Sequence, residues 1–182
     1  MFEKYYRDII CEDLILKENI TFKKKHALAH FSVITVNYSS GLLVKNAQFA
    51  VPALTGFQLI YGQKPKITKA KKSISGFQVR EDQLLGCKLT LRRQRLFFLL
   101  EKLVFTILPR LNVIEQKLVC ESNYNLGIDR RAILFPELEN HYDSFEFLKG
   151  CHLNIVTSSK SDKGSRLLLS SIKVVTKKQI TI

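Results

Sequence analysis

Histidine and cysteine are the side chains best suited to ligate a metal or begin nucleophilic chemistry, and the chain carries four of each. His26 and His30 stand four residues apart, a spacing that can present two imidazoles to zinc from one helix face. No Glu follows His26 as in H-E-x-x-H, and a strand is predicted to begin near His30, so the helix this chemistry needs is missing. His141 and His152 lie in separate segments without a nearby cysteine. Cys11, Cys87, Cys120 and Cys151 are far apart and form no C-x-x-C pair, which argues against a zinc ribbon or a dense disulfide framework. Isolated thiols in a Lys-rich chain suit a reducing compartment. Glu81/Asp82 and Glu137/Glu139 read as solvated carboxylates rather than an acid–base couple. The stretch from Gly62 to Gly76 lacks the phosphate-loop pattern G-x-x-x-x-G-K-[ST]. The expectation is a protein without catalysis, metal or cofactor.

The chemistry that is present is cationic. The 182 residues carry 29 Lys and Arg against 16 Asp and Glu, a net charge of +13. Residues 61–95 alone hold ten basic and two acidic residues, so +8 of the excess lies in this one stretch. A polyanionic partner is implied, nucleic acid ahead of an anionic membrane. Lys and Arg between Gly62 and Arg80 can neutralise phosphates and release counterions. Gln63, Thr68, Ser73 and Ser75 can hydrogen-bond sugar, phosphate or base edges. Phe77 can stack on an unpaired base, and Gly76 beside it allows close backbone approach. In a strand, Lys88, Thr90 and Arg92 share one face while Cys87, Leu89 and Leu91 share the other. That alternation makes a cationic platform over an apolar core, with Arg93 and Arg95 just beyond it. An exposed edge kept soluble by lysine is the plain structural alternative.

The elements that must position these residues are legible in outline. Length predicts a single domain over residues 1–182, and the apolar share of 46% is enough for a packed core. Residues 3–17 show helical spacing at Ile9, Ile10, Leu14 and Leu16, and residues 30–38 alternate as a strand ending in a Ser39-Ser40-Gly41 turn. Residues 43–60 read as helix, with Pro52 forcing a start or a break. Residues 66–69 form a short strand. Residues 73–80 and 85–93 read as two strands joined at Glu81-Asp82-Gln83. Residues 95–108 form the clearest helix, closed by Pro109. Residues 125–135 and 152–158 read as strands, and 160–171 as a helix with Ser161 and Asp162 at its start and Leu167, Leu168 and Leu169 inward. No regular βαβ alternation is visible, so α+β is expected. The most apolar run, residues 96–108, is interrupted by Glu101 and Lys102 and is too short for a membrane span. The acidic N-terminal segment reads as neither a signal nor a transit peptide.

At these residues the chain resembles the large-subunit ribosomal protein five family, which binds 5S rRNA. GQKPKITKAKKSISGFQVR followed by GCKLTLR carries the resemblance. ITVN at 34–37, NYNLGI at 123–128, LFPELE at 134–139 and GCHLNIVTSSKSDKGSRLLL at 150–169 continue it in order. The resemblance implies an α+β two-layer sandwich, with a curved, mainly antiparallel sheet packed against helices, in the central protuberance of the large subunit. By matched position it implies 5S rRNA contacts at Asn37, Gln63 and Thr90, supported by Lys64, Lys88, Arg92 and Arg93. It implies a basic loop, within residues 62–80, that reaches P-site tRNA through Lys69, Lys71, Lys72, Ser73, Gly76, Phe77 and Arg80. Its further implied partners are large-subunit rRNA, other central-protuberance proteins and small-subunit ribosomal protein thirteen across an intersubunit bridge. Neither a membrane nor a homo-oligomer is expected. Three departures stand out: Ser39 where the family usually has glycine, a shortened segment at 111–122, and a tail at 176–182 beyond the usual end. Abundant Ile, Lys and Phe with few Gly point to an organelle copy, mitochondrial ahead of plastid or bacterial. The competing reading is a free-standing regulatory RNA-binding module using the same basic face. An RNA-acting enzyme would need a carboxylate cluster or nucleophile that the sequence does not offer.

Overall fold

A computed structural model describes residues 2–18, 28–110, 116–118, 123–129, 135–139, 141–145, 148, 150–159 and 162–172. His26, Cys120, most of the 111–122 segment and the 176–182 tail lie outside the described residues.

The N-terminal helix begins as α1 (Phe2–Tyr5), passes through one π-helical turn (Tyr6–Ile10) and continues as α2 (Cys11–Glu18). Ile10 and Leu14 are buried, but Ile9 and Leu16 point outward, because a helical period separates them from the inward stripe. Strand β1 (Phe31–Ser39) follows. The expected turn at Ser39-Ser40-Gly41 is instead a helix start. Ser40 Oγ accepts a hydrogen bond from Leu42 N at 3.3 Å and caps α3 (Gly41–Lys45). After a 3₁₀ turn, α4 (Ala50–Tyr61) carries Pro52 in its first turn, where the missing N–H has no intrahelical partner to lose. The predicted 43–60 helix therefore divides near Asn46. Strands β2 (Lys66–Lys69) and β3 (Leu84–Leu91) form an antiparallel hairpin.

Helix α5 (Gln94–Lys102) buries Leu96, Leu99 and Leu100, then widens through a π-turn at Leu103–Ile107 into α6 (Leu108–Arg110). Pro109 does not close this helix. Leu108 N–H reaches back five residues to Leu103 O, and the wider turn eases the clash a proline ring makes with the carbonyl four residues earlier. The remaining elements are β4 (Gln116–Leu118), β5 (Asn123–Asp129), α7 (Pro136–Glu139), α8 (Tyr142–Phe145), β6 (Gly150–Thr157) and α9 (Asp162–Ser171). The strand predicted for 125–135 starts earlier, at Asn123, and Phe135 stands outside it ahead of α7.

The sheet order is β2-β3-β1-β6-β5-β4, and the β2/β3 and β4/β5 pairs are antiparallel. The α+β, mainly antiparallel expectation holds. Contacts group the chain into two compact units, with boundaries inside β1, β3, β5 and β6. One unit (residues 1–34, 91–126 and 154–182) has the Tyr6 ring 5.9 Å from Phe31 and 5.1 Å from Phe97 at its centre. There Leu168 and Leu169 of α9 are buried while Leu167 is only partly covered. The other unit (residues 35–90 and 127–153) packs Tyr38, Phe57, Tyr61 and Phe135 ring against ring, at 5.3, 5.5 and 6.3 Å in that order. Each large buried side chain contributes about 1.5–3 kcal/mol.

Candidate nucleic-acid interface

The basic residues of the second unit sit on a frame that the apolar residues fix. On β3, Cys87, Leu89 and Leu91 are buried, Lys88 is exposed and Thr90 half-buried. On β1, Ile34, Val36 and Tyr38 are buried and Asn37 is exposed. The Tyr38 ring meets Phe57 of α4, and Cys87 lines a small apolar cleft with Ala50, Ala53 and Leu54 of the same helix. Tyr38 and Cys87 thus face α4. By strand alternation Asn37, Lys88 and Thr90 face away from it, toward solvent.

The hairpin register brings onto this face two residues of the basic segment that the sequence reading counted as RNA contacts without placing them here. Lys66 lies opposite Lys88, and Thr68 opposite Gly86. Directly opposed residues share a face, so Lys66 and Thr68 join the Lys88/Thr90 surface. Two-residue periodicity in K-I-T-K pairs Lys66 with Thr68, but register against β3 is a tertiary fact. Gly86 is demanded by packing: a Cβ there would collide with the Tyr38 carbonyl oxygen and sit 2.9 Å from Ser39 Cα. Strand β1 closes over this point, where Ser40 N and Ser39 Oγ both donate to Leu85 O, at 3.3 and 3.2 Å.

Gln63 and Thr90 are brought together. Gly62, at φ 65°, ends α4 with its N–H on Gln58 O, and the chain then turns back so that Gln63 Nε2 donates to Thr90 O at 3.3 Å. Lys64, next in sequence, is exposed. Arg92 and Arg93 are exposed and belong to the other unit, directly after Leu91. Arg93 holds φ 54°, ψ −131°, a region that disfavours side chains, while its carbonyl accepts from Leu96 N at 3.1 Å.

The segment predicted as a strand at 73–80 is a structured loop instead. Its base is tied by Ala70 N to Gln83 O at 2.9 Å, Asp82 N to Ala70 O at 3.1 Å, and a Lys69–Asp82 ion pair at 3.7 Å. Its tip closes through reciprocal Ile74–Val79 bonds over a 3₁₀ turn (Ser75–Phe77) and a left-handed Gln78 at φ 54°. That reversal leaves no partner strand for a ladder, so the alternating residues stay exposed. Gln83 is the unanticipated keystone. Its Nε2 donates to Val44 O at 2.6 Å while its Oε1 accepts from Arg80 N at 2.8 Å.

Lys69, Lys71, Lys72, Gly76 and Arg80 are exposed, and Phe77 at the tip is 77% exposed. Ser73 is also exposed, but its Oγ accepts from Glu81 N at 2.9 Å and so shapes the loop. Gly76 has open space within 4 Å of a hypothetical Cβ and no positive φ, so nothing in the fold requires glycine there.

Of the remaining reactive groups, Cys87 and Cys151 are buried and His30 is bonded locally, while Cys11 is half-buried and His141 and His152 are exposed. Burial pushes the Cys87 thiol up to about 11 and Cys151 up to about 12, so both stay protonated at neutral pH. His30 lies outside any helix, ahead of β1, with its Nδ1 2.7 Å from Ser158 Oγ. No cluster of three or more metal-ligating side chains exists among the described residues. No described helix is long and apolar enough to cross a membrane.

Comparison with known proteins identifies the family. Residues 84–175, from the start of β3 onward, match the model of the C-terminus of the ribosomal L5 family. The chain is 36% identical over 173 residues to the large ribosomal subunit protein uL5 of Chromobacterium violaceum, covering 93% of this chain and 94% of that protein. Half the chain matches the family model and nearly all of it matches a family member: the chain belongs to the ribosomal L5 family.

Proposed function

We propose that this chain, a ribosomal L5-family protein and hence a structural, non-catalytic constituent of the large ribosomal subunit, binds 5S rRNA through the solvent face of β1 and the β2–β3 hairpin. The observation that carries the reading is the common face. Asn37, Lys88 and Thr90 come from two different strands and point away from α4 together. A face that is cationic and carries hydroxyls suits the phosphates and 2′-hydroxyls of folded RNA. Gln63, Lys64, Arg92 and Arg93 extend the contact along the chain on either side of the hairpin.

The loop between Lys69 and Arg80 has a second role, contact with P-site tRNA. Its support is an ordered base that aims an exposed aromatic tip flanked by Lys71 and Lys72. Large-subunit rRNA, the other central-protuberance proteins and small-subunit ribosomal protein thirteen complete the proposed partners. The setting is a mitochondrial ribosome, on the strength of composition. An RNA inventory of the purified particle tests both that setting and the presence of 5S rRNA in it.

Binding to 5S rRNA by the full chain, with Thr90 and Gln63 replaced together, tests the main reading. A loss of affinity larger than the stability loss of about 1 kcal/mol that removing the Gln63–Thr90 bond brings is expected. Unchanged affinity would refute the site. Co-sedimentation with the large subunit at high salt separates a ribosomal protein from a free-standing RNA-binding module, which would stay in the light fractions.

A further inference from the structure

Lys66 and Lys88 face each other across the β2–β3 ladder, and both are exposed. Directly opposed residues have Cβ atoms about 5 Å apart, and like charges in that position weaken a ladder. Neither lysine has an ion pair among the described residues. Asp82 of the hairpin does not offset the pair: it bonds Lys69, and that end of the strand is three residues, roughly 10 Å, from Lys66.

Edge protection explains one of these lysines and not the other. Strand β2 is the edge strand and is short, preceded by Pro65 and carrying Lys66 and Lys69, which are devices that discourage edge-to-edge pairing. Strand β3 lies between β2 and β1 and needs no such protection. Lys88 therefore places a second positive charge beside the first with no benefit to the isolated fold.

We infer that Lys66 and Lys88 form a two-ammonium clamp for a single backbone phosphate of RNA, with Thr68 and Thr90 as hydroxyl donors on either side. Each ammonium offers three donors, and one phosphodiester presents two non-bridging oxygens, so a single anion can bridge both heads and turn their repulsion into shared attraction. The clamp depends on the 5S rRNA reading for which RNA is held. It depends only on the hairpin register for how the phosphate is held.

A double-mutant cycle on the full chain tests it, using Lys66→Gln, Lys88→Gln and both together, with 5S rRNA and a length-matched unrelated RNA titrated over a salt series. Each single change is expected to weaken binding about fivefold. The double variant should lose little more than either single one, and the slope of log affinity against log salt should fall by about one phosphate. Lys66→Gln should also raise the thermal midpoint, and Lys66→Arg with Lys88→Arg should restore binding. Additive losses with the slope falling by two phosphates would overturn the clamp, as would full affinity in Lys66→Gln.

The two readings fail separately. If 5S rRNA binds no better than the control but losses on both RNAs remain coupled, the 5S reading falls and the clamp stands. If 5S preference persists with uncoupled lysines, the clamp falls and the 5S reading stands.

Discussion

Gln63 Nε2 donates to the main-chain carbonyl of Thr90, 3.3 Å away, so the residue following the end of α4 is tied to β3 without using the Thr90 hydroxyl. The Thr90 side chain is left on the solvent face beside Lys88, while Gln63 holds the start of the hairpin in place.

Two substitutions should therefore separate support from contact. Thr90→Val keeps the shape and the Gln63 bond, and is expected to leave the thermal midpoint nearly unchanged while weakening 5S rRNA binding by about 1 kcal/mol. Gln63→Ala removes the bond and should lower both, stability by about 1 kcal/mol. Thermal melts beside titrations check the pair. Equal effects on binding and stability in Thr90→Val would show that its hydroxyl serves only the fold.

The glycines offer a sharper contrast. Gly86→Ala drives a methyl into the Tyr38 carbonyl and the Ser39 backbone, neither of which can swing away as a side-chain tip would. A loss of about 3 kcal/mol or outright failure to fold is expected. Gly76→Ala meets open space at an ordinary backbone conformation, and its melt should stay within about 0.5 kcal/mol of the parent. Urea denaturation of the two variants reads the difference directly.

At the loop tip, Phe77→Ala should leave stability untouched, because the ring is mostly in solvent. If the ring stacks on RNA, tRNA retention at the P site should fall by about 1–3 kcal/mol. Lys71→Ala with Lys72→Ala should likewise spare subunit assembly and weaken retention. A defect in assembly instead would assign the loop to the fold or to the 5S contact.

Alkaline pH should destabilise the chain in a defined window. The buried thiols of Cys87 and Cys151 titrate near 11 and 12 in the folded protein against 9.0 for an ordinary thiol. The unfolded chain thus releases these protons first. The stability each thiol contributes is complete below about pH 9 and lost as pH rises through the folded values, at up to about 1.4 kcal/mol per pH unit for each group. Urea midpoints between pH 7 and 11 should fall above pH 9, and Cys151→Ala should shallow that slope.

Local pattern alone was enough for the frame and the ligand class. Apolar alternation in CKLTL placed Lys88 and Thr90 outward, because side-chain direction in a strand follows from a period of two, whereas Asn37 came from the family resemblance. The charge of residues 61–95 called for a polyanion, since charge does not depend on fold. What only tertiary structure decided was the neighbour of each residue. Segment 73–80 has strand composition, yet a left-handed Gln78 turns it back on itself. Lys66 counted as one more lysine until the β2–β3 register set it opposite Lys88. Such pairings depend on contacts between residues more than 20 positions apart, such as Gly86 under Tyr38 and Gln63 on Thr90, and no local propensity encodes which ones will meet.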